Sequence, residues 1–289
     1  CRHYIAIQHV DLLREHHPDT QIWFDTIDLH YLRLRRQHEL DQSPATLKMA
    51  EMAYHEECEV ISKSDLTIVV SEVEVTELAN EAPDAKVAVI SNIHEVARDR
   101  PAFDDRRGVM FVGGFQHPPN IDAVEYYVNE IWPLLTERCP DLETYVIGSH
   151  MPDRLKRLGE SRGLKMLGFV EDLTPYYESC ALAIAPLRYG AGVKGKVNQA
   201  LSFGLPVVGS PVAFEGMGLT HEREVMVAET AEDFAESVAK VCADRALWLT
   251  LSERGVASLA GRFIPEVAEA ALRDVLAPWL DERDLKTVG

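Results

Sequence analysis

The sequence predicts an α/β protein built from two doubly wound parallel sheets. Short apolar runs alternate with segments of helical periodicity along the 289-residue chain, and this alternation of strand and helix is typical of parallel sheets. Glycines follow two of the apolar runs, directly at 113–114 and within the next turn at 190, 192 and 195. In open parallel sheets, turns of this kind at the carboxyl ends of strands are where ligands bind.

A charged segment that contains Pro101 separates two domains. We assign residues 1–95 to a partial N-terminal domain and residues 109–277 to a C-terminal domain. A linker at 96–108 joins the two domains, and a tail follows at 278–289. A hydrophobic fraction of 46% is sufficient for two cores of modest size.

The N-terminal domain begins at Cys1, inside a segment with a helical pattern that runs to about His17. Because the chain starts in the middle of an element, we expect that an upstream portion is missing and that the N-terminal sheet is incomplete. Ser71 is the expected N-cap of one helix. The other predicted elements of this domain are strands at 21–30, 66–70 and 86–90 and helices at 45–62 and 73–80.

The C-terminal domain repeats the same alternation. A helix is expected to begin near Asp172 or Thr174, and another directly after Gly195. Trp279 and Leu280 either anchor the terminal helix or are ordinary packing residues. Strands are predicted at 109–112, 142–147, 165–167, 181–185, 206–208 and 225–227. Helices are predicted at 121–135, 153–162, 231–243, 245–259 and 265–276.

Composition narrows the classes of function and location. The formal net charge is −18, which disfavours binding to nucleic acid through its phosphate backbone. A local basic face still leaves peripheral membrane contact open. No apolar run is long enough to cross a bilayer, and the five cysteines are scattered singly. We therefore expect a cytoplasmic protein without disulfides or a zinc site.

The turn that holds Gly190, Gly192 and Gly195 carries the clearest chemical signal. Glycines permit close backbone approach, and the N-terminus of the following helix offers unpaired N–H groups to an anion. Lys194 and Lys196 add positive charge beside that site. The pattern indicates a phosphate or diphosphate cradle, although glycine-rich turns also occur without a ligand. It matches neither the NAD nor the ATP fingerprint.

The stretch GAGVKGKVNQALSFGLPVV resembles the donor site of the family-4 (group 1) glycosyltransferases, retaining enzymes of the GT-B fold. It is most similar to a branch with G-x-G-x-K-x-K before the helix. In the wider family a Glu-x7-Glu pair contacts the donor sugar and the nucleotide ribose. Those positions hold Ala191 and Gln199 here. Gln199 can still bond a ribose hydroxyl through its amide, whereas Ala191 cannot replace the sugar contact.

Other segments extend the resemblance. In FVGGFQHPPNIDAV, similar to the family's FVG-G motif, Gly113 and Gly114 are expected to approach the donor phosphates, within a loop that runs to Asn120. His117 in that loop is either a phosphate or sugar contact or an ordinary structural histidine. Phe169 and Val170 take the place that meets the nucleotide base.

Three more residues are candidates on weaker signals. Glu215, in the VAFEGM segment that we expect to be a loop, is the remaining carboxylate near the donor sugar, or else a solvated acid. QIWFDTIDLH is similar to the DTVDLH-type segment of the same branch. It places Asp28 and His30 at the end of a strand, on the acceptor side of the expected site, unless they serve as a helix cap and a surface histidine.

Together the resemblance implies a retaining glycosyltransferase that moves a sugar from a nucleotide-diphosphate donor to a hydroxyl of a glycan or lipid-linked acceptor. Lys196 is the first candidate for stabilising the departing diphosphate and Lys194 the second, with Gly190, Gly192 and Val193 bordering the donor. No metal or other cofactor is required in this scheme.

Two alternatives remain open at this point. Because both family carboxylates are missing, the chain is alternatively a non-catalytic nucleotide-sugar-binding or assembly partner that keeps the fold. A sugar-nucleotide epimerase of related architecture is less consistent with the sequence, which shows no set of carboxylates placed for proton abstraction. Neither the sugar, the base nor the acceptor can be deduced from the residues alone.

Overall fold

The computed structural model describes residues 2–97 and 102–278, which form two compact units. Among the described residues, unit 1 comprises 2–93, 191–193 and 261–278. Unit 2 comprises 94–97, 102–190 and 194–260. Trp279 and Leu280, the predicted anchors, lie outside the described residues.

Unit 1 contains a three-stranded parallel sheet in the order β1-β2-β3. Its strands are β1 (Trp23–Asp25), β2 (Leu66–Val69) and β3 (Val87–Val89). Its first helices are α1 (His3–Ala6), α2 (Val10–His16), α3 (His30–Asp41), α4 (Pro44–Lys63) and α5 (Glu72–Glu81). The core joins side chains of β1 and β2 to α3 and α4, and Phe24, Tyr31 and Val60 are among its most buried members.

The structure corrects the predictions for the start of unit 1. The single helix expected to reach His17 is wrong, because a turn over residues 7–9 divides it into α1 and α2. Strand β1 ends at Asp25, so Asp28 lies in the next loop and His30 begins α3. That helix escaped prediction because one of its buried positions holds Arg33, which pairs with Asp28 at 3.1 Å.

Ser71 occupies the N-cap position of α5, as predicted, but its side chain makes no capping bond to the helix. The carboxylate of Glu74 satisfies backbone donors nearby instead. It accepts from the N–H groups of Leu29 at 3.1 Å and Val70 at 3.0 Å. The segment after β1 and the end of β2 are therefore held by one buried carboxylate.

Unit 2 contains a six-stranded parallel sheet in the order β6-β5-β4-β7-β8-β9. Its strands are β4 (Val109–Val112), β5 (Thr144–Ile147), β6 (Lys165–Gly168), β7 (Leu182–Ala185), β8 (Val207–Gly209) and β9 (Met226–Val227). The chain builds the sheet outward from β4 in one direction and then resumes at β7 in the other. The order of strands thus reverses between β4 and β7, which are neighbours.

Helices follow the strands of unit 2. They are α6 (Pro118–Tyr126), α7 (Trp132–Arg138), α8 (Asp153–Ser161), α9 (Thr174–Ser179), α10 (Gly195–Ser202), α11 (Pro211–Phe214), α12 (Ala231–Ala243) and α13 (Arg245–Ala260). A π-helical segment, Tyr127–Ile131, joins α6 to α7, and a 3₁₀ turn, Phe103–Asp105, precedes β4. The last described helix, α14 (Pro265–Leu276), groups with unit 1.

The sequence predicted most of these elements correctly, and the bounds of α12 and α14 agree with the prediction at both ends. A Thr230–Asp233 capping box marks the start of α12. Two details differ. Asn120 lies in the first turn of α6 rather than in a loop, and Phe214 ends the one-turn helix α11 rather than lying in an open loop. Proline at the first helical position explains both starts.

Arg106, in the predicted linker, is a buried structural residue of unit 2, only 3% exposed. Its guanidinium donates to the carbonyl oxygens of Tyr177 at 2.7 Å and Cys180 at 3.2 Å. It also lies 5.2 Å from the centre of the Trp248 ring. Through Nη1 the guanidinium joins the segment before β4 to the end of α9 just before β7.

We predict that Arg106→Lys lowers the free energy of unfolding by about 1–3 kcal/mol, because an ammonium cannot reproduce the planar guanidinium that bonds the buried carbonyls and lies over the Trp248 ring. Urea unfolding followed by circular dichroism measures this. Arg107→Lys is the matched control. The Arg107 side chain is exposed and donates to the nearby carbonyl oxygens of Asp104 and Arg106. Equal loss of stability in both variants would contradict the assigned role of Arg106.

Candidate functional site

The site candidates of unit 2 gather where the strand order reverses. The loop after β4 holds Gly113 and Gly114, and the loop after β7 leads through Gly190 to α10. Because consecutive connections leave β4 and β7 in opposite directions, the loops at their carboxyl ends separate and leave a crevice. The two predicted glycine turns are therefore the two sides of one crevice.

Lys196 is the centre of this crevice. It lies in the first turn of α10, as predicted, and its Nζ donates a short hydrogen bond of 2.5 Å to Oδ1 of Asn120. The same Nζ lies 4.2 Å from the centre of the Phe111 ring of β4. This single ammonium thus contacts the strand and the helix on either side of the first glycine turn.

Burial, reinforced by the charge of Lys194, lowers the pKa of the Lys196 ammonium to about 7. Across residues 2–97 and 102–278, no carboxylate forms an ion pair with it. A cation that is desolvated without a counter-charge is costly, which explains the direction of the shift. Such a group gains from an incoming anion, and the first N–H groups of α10 lie beside it.

Glycine at 113 is required by close packing against this pair. A Cβ there would lie 2.7 Å from Cγ of Asn120 and 2.9 Å from Nζ of Lys196. Gly148, after β5, is constrained from the other side, since its Cβ would lie 1.9 Å from the carbonyl oxygen of Gly113. A Cβ on Gly114 would meet only Oγ of Ser149, at 3.7 Å. The floor of the crevice is therefore backbone.

The loop after β7 is fixed to α6 at its start. Arg188 forms two hydrogen bonds with the carboxylate of Asp122, one of them at 3.0 Å. Its guanidinium also lies 5.3 Å from the centre of the Tyr126 ring. Gly190 is buried, and a Cβ there would lie 3.2 Å from Cε of Lys194. The second glycine turn is thus ordered by packing in the same unit.

Gln199, the candidate for bonding a ribose hydroxyl, has protein partners. Its Oε1 lies 3.3 Å from Nδ1 of His94, and its Nε2 lies 3.4 Å from Oγ of Ser202. Burial lowers the pKa of His94, so at neutral pH this ring is uncharged and suited to donate to a neutral amide. Gln199 and His94 thus form a neutral hydrogen-bonded pair.

The remaining candidates of unit 2 lie on different loops at the same edge of the sheet. His117 is the half-buried N-cap residue of α6, and Glu215 follows α11. Phe169 and Val170 follow β6, and the Phe169 side chain is 74% exposed. An aromatic ring with that exposure has an open face for a flat ligand.

In unit 1, Asp28 and His30 come together at the start of α3. Asp28 is 7% exposed and pairs with Arg33 and Arg2. Burial and the charge of Arg33 lower the pKa of His30 to about 4, and its ring lies 4.7 Å from that of His3. His30 is therefore neutral at physiological pH.

Glu57 of α4 holds the backbone of this corner. Its carboxylate accepts from the N–H groups of His30 at 3.0 Å and Tyr31 at 2.8 Å, and burial raises its pKa to about 7. Gly192 and Val193 group with this unit as well. With φ of +67°, Gly192 would bring a Cβ within 3.1 Å of Cβ of Asp28.

Several residues of the crevice carry roles that the sequence did not reveal. Asn120 was assigned only to a loop, and Phe111 and Gly148 were not singled out at all. A glycine directly after a predicted strand was available as a signal for Gly148. The contact between Asn120 and Lys196 spans 76 positions in the chain, so no local pattern reports it.

Comparison with known proteins gives a family match for unit 2. Residues 106–244 match the family model described as glycosyl transferases group 1. A Klebsiella pneumoniae protein, described as an uncharacterized 44.6 kDa protein in the cps region, is 27% identical over 138 residues. These residues are 45% of this chain and 36% of the relative, so the match spans much less than the relative's full length.

Solved structures share the fold of this chain. Sucrose-phosphate synthase from Thermosynechococcus elongatus aligns with a TM-score of 0.76 and 18% identity, over 99% of this chain and 72% of that one. Anabaena HepE in complex with UDP and glucose aligns with a TM-score of 0.73 and 14% identity, over 96% and 76%. The predicted GT-B fold is confirmed. None of the helices described here has the length and apolar character of a membrane-spanning segment.

We predict that Gly113→Ala is destabilising by about 1–3 kcal/mol, the usual cost of overpacking, since its Cβ has no room beside Asn120. Gly114→Ala is the matched control and leaves the free energy of unfolding within about 0.5 kcal/mol of the parent. Denaturant unfolding of the two variants makes the comparison. A Gly113→Ala protein as stable as Gly114→Ala would contradict the packing described for the crevice floor.

Proposed function

We propose that this chain is the donor-binding part, with some of the acceptor side, of a glycosyltransferase that uses a nucleoside-diphosphate sugar. The observation that carries the proposal is the ammonium of Lys196, held at the switch point without a carboxylate partner among the described residues. The family match over residues 106–244 and the likeness to HepE, crystallised with UDP and glucose, support it. A uracil nucleotide is therefore the first donor to test.

In the proposed reaction a hydroxyl oxygen of the acceptor bonds to the anomeric carbon of the donor sugar. The bond from that carbon to the diphosphate breaks, its electron pair leaves with the diphosphate, and the acceptor proton passes to the departing oxygen. We propose attack from the face that the diphosphate leaves, which retains the anomeric configuration. Lys196, seconded by Lys194 and the N–H groups of α10, stabilises the charge that develops on the diphosphate.

The other candidates take supporting roles in the proposal. Gly113 and Gly114 let the backbone approach the diphosphate, and His117 donates to a phosphate or sugar oxygen. Glu215 accepts from sugar hydroxyls in place of the family carboxylate that Ala191 lacks. Phe169 and Val170 lie against the nucleotide base. The scheme uses lysine as the counter-charge and assigns no step to a metal ion.

For the acceptor we propose a glycan or a lipid-linked glycan. The Klebsiella relative is described as lying in a cps region, which favours polysaccharide biosynthesis as the context. Asp28 and His30 are the proposed acceptor-side residues. Because His30 is neutral at physiological pH, it would serve through hydrogen bonding rather than as a charge.

A second candidate is a non-catalytic partner that binds a nucleotide sugar. It is favoured by one observation: the Gln199 side chain already engages His94 and Ser202, and the Ala191 side chain has no polar group. Both proposals share the donor site, so nucleotide binding alone does not separate them. Sugar transfer from the donor that binds best, assayed with lipid-linked and free glycan acceptors, does.

The test of the donor site is calorimetric titration of nucleoside diphosphates, beginning with UDP, into the parent and into Lys196→Ala. We expect one nucleotide to bind and the lysine variant to lose at least about tenfold in affinity, equivalent to about 1.4 kcal/mol. Lys156→Ala, on the exposed side of α8, is the matched control and should bind as the parent does. Absence of binding in a folded parent at millimolar nucleotide would refute the donor site.

A further prediction concerns the base. Phe169→Ala should weaken UDP binding by about 1–3 kcal/mol, the usual worth of stacking on an aromatic ring, and leave inorganic pyrophosphate binding unchanged. Titration of both ligands into the variant makes the comparison. Leu249→Ala, which also trims an exposed apolar side chain of unit 2, is the control. Equal weakening for both ligands would mean that Phe169 acts on the fold and not on the base.

A further inference from the structure

Asn120 is the buried polar residue that joins both sides of the crevice. It is 6% exposed and lies in the first turn of α6. Its Nδ2 donates to the carbonyl oxygen of Gly114 at 2.8 Å, and its Oδ1 accepts from Nζ of Lys196. The Asn120 amide therefore bonds both the first glycine turn and the Lys196 ammonium at the start of α10.

We propose that Asn120 is the positioning residue of the donor site: its neutral amide holds the Lys196 ammonium at the crevice and leaves the positive charge to be balanced by a bound diphosphate. This inference rests on the proposed function. It assigns to Asn120 no contact with the donor. Its effect passes through Lys196 and through the backbone of Gly114.

The choice of an amide over a carboxylate is the core of the argument. Aspartate has nearly the same shape, but an anion at this distance would form an ion pair with Lys196 and neutralise it before any ligand arrives. It would also lose the Nδ2 donor that holds Gly114, and it would repel a diphosphate. Asparagine supplies an acceptor for the lysine and a donor for the loop without adding charge.

The surroundings of Lys196 contain little else that could balance its charge. In the described part of the chain, the charge that acts on it is that of Lys194, from the same loop. β4 presents the Phe111 ring, and α6 presents Asn120. α9 presents the buried Tyr177, whose pKa is raised by burial, to a small cavity shared with Lys196. The tyrosine is therefore neutral wherever the lysine titrates.

This arrangement couples donor binding to a proton. The pKa of Lys196 in the free protein is about 7, and a bound diphosphate raises it because an opposite charge favours the ammonium. Binding therefore takes up a proton above about pH 7, and affinity is fully present below that pH and declines as the pH rises. The second ionisation of a terminal phosphate lies at about pH 6. The terminal phosphate of UDP is therefore ionised over the pH range in which Lys196 titrates.

The test measures UDP affinity by calorimetry between about pH 7 and pH 9 in the parent, Asn120→Asp, Asn120→Ser and Asn80→Asp. The last variant makes the same isosteric charge change at an exposed residue of α5. The pKa of Lys196 is measured in parallel by NMR of labelled lysine in the absence of nucleotide, with Lys196→Ala to assign the signal.

We expect parent affinity to fall by up to about tenfold per pH unit across this range. Asn120→Asp should bind UDP at least about tenfold more weakly at the low end and show a flattened pH profile, with the lysine pKa raised. Asn120→Ser, which keeps a neutral acceptor, should bind more weakly but retain the slope. Asn80→Asp should match the parent in affinity and slope.

Two results would overturn the inference and leave the donor site intact. One is UDP binding to the parent without a pH slope, and the other is an Asn120→Asp protein with the affinity and slope of the parent. If Asn120→Asp does not fold, Asn120→Ser decides, because parent affinity in that variant refutes a positioning role. A folded parent that binds none of the nucleoside diphosphates refutes the proposed function, and the inference falls with it.

Discussion

The hydrogen bond between Lys196 and Asn120 joins the first turns of α10 and α6, the helices that follow the two loops flanking the switch point of the larger sheet. It is possible only because both loops end strands at one edge of that sheet and Gly113 leaves room for the two side chains. Desolvation of the ammonium is unfavourable on its own, and the amide and the Phe111 ring offset only part of that cost. The unit therefore holds an incompletely satisfied cation at the position where ligands bind in such sheets.

The scaffold around this contact is rigid for reasons that lie outside the crevice. Arg106 ties the segment before β4 to the end of α9, and Arg188 ties the loop after β7 to Asp122 of α6. The buried Arg106 guanidinium bonds backbone carbonyls, whereas the exposed Arg188 guanidinium bonds a carboxylate through two of its nitrogens. These pairs hold the segments that border the crevice in place.

Much of this architecture was predictable from the sequence because its signals are local. Apolar runs predicted the strands, and helical patterning predicted α12 and α14 with the bounds that the structure shows. The glycine turns and Lys196 were found in the same way. What failed was non-local or disguised: α3 was missed because Arg33 occupies a buried position, and the role of Asn120 depends on a partner far along the chain. Pairings of that kind become visible only when the sheet brings the loops together.

Unit 1 also contains buried charged side chains, but these are carboxylates. Glu57 and Glu74 are nearly fully buried carboxylates whose partners include the backbone N–H groups of the segment that holds Asp28 and His30. Burial raises the pKa of Glu57 to about 7. The contribution of Glu57 to the free energy of unfolding therefore falls as the pH rises from the ordinary carboxyl pKa to about 7. In that corner, buried carboxylates accept from backbone N–H groups. In the crevice of unit 2, the Lys196 ammonium donates to the Asn120 amide.

The backbone floor made by Gly113 and Gly148 has a consequence for how such a protein can diversify. The backbones of Gly113 and Gly148 pack so closely that no side chain fits between them. Substitution at either position therefore disrupts the floor. Side chains such as Phe169 and Glu215 lie on separate loops at the same edge of the sheet, outside that floor. Evolution can therefore exchange residues on those loops while the backbone floor is inherited unchanged.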